Sequence, residues 1–115
     1  MTDYRKLDKL PNEIKDWTYE NIIGYVDMCK DLGVELAKHE IKDALSLFMD
    51  STHDQFVETQ IINDWELEKI IVTIFNVSYR IVDGEVKNNK TDIMSAVEKT
   101  YNKIYDKNLW TPGLN

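Results

Sequence analysis

With 115 residues, 43% of them hydrophobic, two prolines and four glycines, the chain holds enough apolar surface for one buried core and too little Pro and Gly for a low-complexity or collagen-like polymer. Twenty-one acidic side chains against fourteen basic ones leave a formal charge of −7, which argues against direct binding to nucleic-acid phosphates or an anionic membrane surface. The single cysteine, Cys29, excludes an intramolecular disulfide, and the longest apolar run, 70–82, is broken by Thr73, Asn76, Ser78, Tyr79 and Arg80 and falls short of a bilayer span, so a cytoplasmic protein is expected.

Apolar residues recurring at three- and four-residue intervals predict an all-α fold. Leu7, Leu10, Ile14 and Trp17 keep helical spacing across Pro11, so Pro11 either opens a helix or separates two short ones. The stripe Ile22, Val26, Cys29 and Leu32 predicts a helix over 18–32, with Thr18 as its cap and Gly33 just past its end. Ala37, Ile41, Ala44, Leu45 and Phe48 predict a second over 34–49. Ser51 and Thr52, three residues before Asp54 and Gln55, signal a restart that turns Phe56, Val57 and Ile61 inward. Asn63 before Glu66 repeats that signal and opens a helix carrying Leu67, Ile70, Ile71, Ile74, Val77, Ser78 and Ile81, ended by Gly84. A last helix starts from a cap at Thr91 and carries Ile93, Met94, Val97, Tyr101, Ile104 and Tyr105.

One window admits another reading. Phe75, Val77, Tyr79 and Ile81 alternate with polar residues ahead of Asp83-Gly84, the pattern of a short β-hairpin near 75–86. The residues that follow offer only Val86 to a partner strand, and an isolated hairpin is barely stable in water, so the helix is preferred. The expectation is a single helical domain over 1–115, a compact bundle of about five helices.

The charge is unevenly placed. Segment 13–68 holds four basic and fourteen acidic residues. No Lys or Arg lies between Lys42 and Lys69, an interval of 26 residues that contains Asp43, Asp50, Asp54, Glu58, Asp64, Glu66 and Glu68. At spacings of four and seven, Asp43, Asp50, Asp54 and Glu58 share one helix face, where like charges repel by a few tenths of a kcal/mol per pair. Capping offsets part of that repulsion for acids in a first helical turn, and a solvated face accounts for some of the rest. An interval without a single base exceeds what capping needs and points to a surface for a basic protein partner. Trp65, framed by Asp64 and Glu66, is the candidate apolar anchor, with core packing as its other use.

Catalytic motifs are sparse. Cys29 sits on an apolar stripe, where a thiol behaves as a small hydrophobe. No Gly-rich phosphate loop, Gly-x-Ser-x-Gly elbow or Cys-x-x-Cys pair occurs, and the absence of Glu-x-x-His argues against a di-iron bundle. His39 with Glu40 and Asp43, and His53 with Asp50 and Asp54, are candidate ligand sets for a weak divalent-ion site, though histidines beside helix-start acids more often serve only the surface. The His53-Asp54 doublet resembles the His-Asp pair of helical HD-type metal-dependent phosphohydrolases. The likeness covers two residues, and for that family's separate upstream His only His39, fourteen residues away, is present.

These readings converge on a small acidic helical binding module with no cofactor, an inhibitor or immunity-type protein of a bacterial cell that covers a basic functional surface of a toxin or nuclease; a homo-oligomer is compatible with them. The partner-binding residues would be Asp43, Asp50, Asp54, Glu58, Asp64, Trp65, Glu66 and Glu68. The alternative is a metal-dependent phosphohydrolase-like enzyme using His53, Asp54 and neighbouring carboxylates.

Overall fold

Pro11 sets the entry to the first long helix. Its ring fixes φ and removes an N–H that would have no partner there, and its carbonyl accepts from the amides of Ile14 and Lys15. The computed structural model describes residues 5–33 and 52–104. They form a 3₁₀ turn (Leu7–Lys9), α1 (Asn12–Leu32), a π-type turn (His53–Val57), α2 (Asp64–Val82) and α3 (Lys90–Ile104), with no strand among the described residues. The predicted helix over 34–49, and with it His39, Asp43 and Asp50, lies outside the described residues, as does Tyr105. No helix among the described residues is long and apolar enough to cross a membrane.

Helix α1 starts at Asn12, and Thr18 is not its cap. The Thr18 hydroxyl is buried inside the helix and donates to the Ile14 carbonyl at 2.7 Å. Pro11 therefore divides the 3₁₀ turn from α1. At the other end Gly33 takes φ 87° and donates its amide to the Cys29 carbonyl at 2.8 Å. Thr52 does not cap a restarted helix either, because its own φ and ψ are already helical, at −79° and −26°. The chain there winds wide: the Glu58 amide reaches back five residues to the His53 carbonyl, and the Ile61 amide to that of Phe56. Phe56 turns inward as expected, with Val57 and Ile61 packed beside it.

The start of α2 is fixed by a reciprocal cap. The Asn63 side chain accepts from the Glu66 amide at 2.8 Å, and the Glu66 carboxylate accepts from the Asn63 amide at 3.0 Å. Asp83-Gly84 ends this helix and makes no hairpin. Gly84, at φ 86°, donates to Ile81 while Glu85 donates to Arg80, the paired bonds of a Schellman end. The alternation over 75–81 misleads because α2 is buried around most of its circumference, so polar and apolar sides are poorly separated. Helix α3 is capped by Asn89 and not by Thr91: the Asn89 side chain accepts from the Asp92 amide and donates to the Asp92 carboxylate, both at 2.8 Å.

Helix α2 is the axis of the core. Its Leu67, Ile70, Ile71, Ile74 and Val77 meet Ile14, Ile22 and Val26 of α1 and Ile93, Val97 and Tyr101 of α3, and Leu7, Leu10, Phe56, Ile62 and Val86 complete the cluster. Each such side chain contributes about 1.5–3 kcal/mol when removed from water. Trp17 meets Phe56 edge-on at 5.3 Å, and Tyr25 packs on Phe75 at 4.9 Å.

Two charged residues of α2 are inside this core. Glu66 is buried, and Arg5 reaches it from the N-terminal segment: the Arg5 amide and Nε donate to Oε2 and Nη2 to Oε1, all at 2.8 Å, while Nη2 also donates to the Ile61 carbonyl. Burial pushes the Glu66 carboxyl up, but the bonds from Arg5 and from the Asn63 amide outweigh it and hold it below its ordinary value. Lys69, fully buried, places Nζ 4.0 Å from the centre of the Tyr101 ring. Burial lowers its pKa to about 8, against the attraction of Glu66.

Two outcomes are expected. Arg5→Ala strands a buried carboxylate, and because the Arg5 side chain is 43% exposed the loss should sit below the range for a fully buried pair, at about 2 kcal/mol by urea denaturation at neutral pH. A lowered folded pKa means that this contribution is complete above the ordinary Glu value of 4.5 and is lost as pH falls through the folded one, so wild type and Glu66→Gln should converge in acid. For Lys69 the unfolded chain, near 10.5, binds more protons than the folded one, near 8. Wild-type stability should therefore rise relative to that of Lys69→Met as pH climbs from about 8 towards 10.

Candidate protein-binding surface

The wide turn at 53–57 and the first turn of α2 bring three of the predicted acids to one histidine. His53 Nε2 lies 2.7 Å from Asp64 Oδ1, and Nδ1 lies 3.8 Å from Glu58 Oε1. One ligand atom each from His53, Asp54 and Glu58 fall within 4.8 Å of one another. Asp54 is exposed, and so are Glu58 and Asp64, at 67% and 74% of their side-chain surface. Asp64 is also favoured by the dipole of the helix it starts. Beside the cluster is an open depression of about 620 Å³ lined by Arg5, Val57, Gln60, Ile62, Asn63, Asp64 and Glu66. Gln60 on its wall holds φ 63°, a left-handed conformation that costs a non-glycine residue energy.

The remaining predicted residues divide. Glu66 is corrected from surface charge to core ion pair, since the third position of a capping box points its side chain back towards the cap, where Arg5 closes over it. Glu68 is half-buried, with its pKa raised by burial and then by the charge of Asp64. Trp65 is half-buried on α2. Asp43 and Asp50 lie outside the described residues.

A second acidic surface lies on α1. Glu13, Asp16, Glu20, Asp27 and Asp31 are all exposed, opposite the buried stripe Ile14, Thr18, Ile22, Val26 and Cys29. At 100° per residue the five fall within about 60° of arc. Lys15 and Lys30 interrupt the row in sequence but not in space, which is why a search for base-free intervals passes over it; the helical period alone reveals it. Among the described residues none of the five is ion-paired with a Lys or Arg. Next to the row a groove of about 310 Å³ opens between α1 and α2, lined by Glu20, Asn21, Gly24, Tyr25, Met28, Ile74 and Phe75. Its Tyr25 wall is set by a 3.2 Å hydrogen bond between the Tyr25 and Tyr79 hydroxyls, and burial, then that bond, raises the Tyr25 pKa.

These geometries allow ion pairing with a basic surface and, at His53, Asp54 and Glu58, the binding of a divalent ion through one nitrogen and two oxygens. Cys29 offers no nucleophile at the surface, because it is buried and burial raises its thiol pKa. No family model matches the chain, and no curated protein or solved structure matches it either.

The α1 row should cost stability. In Glu20→Lys/Asp31→Lys, the pairs Asp16–Glu20 and Asp27–Asp31 change from like-charged to opposite-charged at i, i+4, with the acid N-terminal to the base. The double variant is expected to gain about 1 kcal/mol in thermal or urea denaturation at low salt, with the gain shrinking at high salt.

Proposed function

We propose that this chain is a small non-catalytic binding module that covers a basic functional surface of another protein, in the manner of an inhibitor or immunity protein. The observation that carries the reading is the set of exposed carboxylates Asp54, Glu58 and Asp64, gathered around His53 on short, bonded elements. Like charges held this close destabilise the free protein, and a partner's Lys and Arg side chains relieve the repulsion on binding. The same field accelerates encounter with a positive surface and repels nucleic acid. The α1 row adds negative charge of the same exposed kind.

A second reading, metal-dependent chemistry of the phosphohydrolase kind, is favoured by the 4.8 Å cluster of His53, Asp54 and Glu58. The first is preferred because Asp54 and Glu58 are exposed and, among the described residues, only three ligand atoms are brought together there.

The test is capture from a lysate of the source cells by the wild type and by Asp54→Lys/Glu58→Lys/Asp64→Asn, the last change keeping a polar group at the helix start. The wild type should retain a protein with a basic surface, release it with added salt, and block its activity; the variant should do none of these. Equal retention by the variant would remove the cluster from the function. A thermal shift on adding manganese that His53→Ala abolishes would move the assignment to the second reading.

A further inference from the structure

The groove at Gly24 combines three features. Its walls are apolar: Met28 of α1, Ile74 and Phe75 of α2, and the Tyr25 ring. Its floor is opened by a glycine in mid-helix, although no close packing demands one there. A Cβ at Gly24 would meet nothing within 4 Å, and its φ is not among the left-handed ones. Glycine is the poorest helix former after proline, so its place in α1 sacrifices helix stability without helping the core. One edge of the groove is the acidic row, with Glu20 in the lining itself and Asp16, Asp27 and Asp31 on the adjoining strip of the same helix. Along α1, Gly24, Met28 and Leu32 stand in one line at four-residue intervals, and Leu32 is 43% exposed, the one large apolar side chain so exposed among the described residues.

We infer that this groove docks an amphipathic basic segment of the partner protein, seating a bulky apolar side chain over Gly24 while Lys or Arg side chains lie along the carboxylates of α1. The inference rests on the reading of this chain as a binder of basic proteins and adds to it the place and shape of the contact. Charge complementarity selects the occupant. The apolar walls alone would accept any hydrophobic segment, but a row of unneutralised acids on the rim rejects a neutral or acidic one and is satisfied by a helix with bases on one side and an anchor on the other. Methionine suits such a seat, being unbranched and able to adapt its rotamers to the entering side chain.

Two synthetic peptides of identical Lys and Leu composition test it, one patterned as an amphipathic helix and one scrambled, titrated by fluorescence and by amide chemical shifts against the wild type and Gly24→Trp. The variant fills the groove from an exposed position, and its circular dichroism and amide spectrum check that the fold is kept. The patterned peptide should bind the wild type at least tenfold more tightly than the scrambled one, shift the amides of Gly24, Met28 and Phe75, and lose about tenfold in Gly24→Trp, while the scrambled peptide's weak, salt-sensitive binding is unchanged. Equal binding of the two peptides would overturn the groove and leave the charge-based function standing. Shifts confined to 53–64 would do the same. Binding of neither peptide at low salt would overturn both, and a concentration-dependent dimer that Gly24→Trp abolishes would assign the groove to a second copy of this chain.

Discussion

The carboxylate of Glu66 gathers four donors: the Arg5 amide, the Arg5 Nε and Nη2, and the Asn63 amide. One buried group thereby fixes three things together. It starts α2 at its cap, it anchors the N-terminal segment across 61 residues of chain, and through Arg5 Nη2 and the Ile61 carbonyl it holds the connection that leads from the wide turn into α2. With Arg5 in place, the Leu7 amide donates to Asn102 of α3, and Leu7 and Leu10 enter the core. Such a pair adds little net stability over an apolar equivalent, since desolvation consumes most of the Coulomb gain. Its effect is on register: few alternative placements of the N-terminal segment give that carboxylate its donors.

Helix α2 shows how a helix can be buried on most sides without being apolar throughout. Thr73 and Ser78 are fully buried, and each hydroxyl donates to the carbonyl four residues earlier, at 2.7 Å and 2.6 Å, so neither needs an outside partner. Lys69 puts its ammonium over the Tyr101 ring and within the field of Glu66. Polar side chains therefore lie along the axis of the molecule, while the exposed acids stand at its surface on α1 and at the 53–64 junction. The two sets of charge do different work: the inner one positions segments, and the outer one remains accessible to another molecule.

Helix type and the strongest punctuation were legible in the sequence. Asn63 with Glu66, and Gly33 and Gly84 past their helices, act through bonds within a few residues, so local spacing is enough to find them. Threonines were harder. Thr18, Thr52 and Thr91 have the composition of caps, but a threonine also sits well inside a helix by bonding backwards, and stronger neighbours, Pro11 and Asn89, took the boundaries at α1 and α3. The acidic surface was legible to the same depth. Asp54 and Glu58 meet through a local turn, whereas the removal of Glu66 from the surface depends on Arg5, whose distance along the chain hides it from any pattern of spacing. The α1 row was written plainly in the helical period, yet two off-axis lysines conceal it from a count taken along the chain.

The turn at 53–57 holds one residue more than an α-helical turn over the same rise. It can be viewed as an insertion absorbed into a helix, its surplus accommodated where Glu58, Thr59 and Gln60 face solvent. That surplus carries the chain from buried Phe56 to buried Ile62 in register with the cap at Asn63, with the Ile61 and Ile62 amides both donating to the Phe56 carbonyl. Chain length at this point thus sets how Asp54 and Glu58 stand relative to Asp64, and ties the arrangement of the outer carboxylates to the seating of Phe56 and Ile62 in the interior.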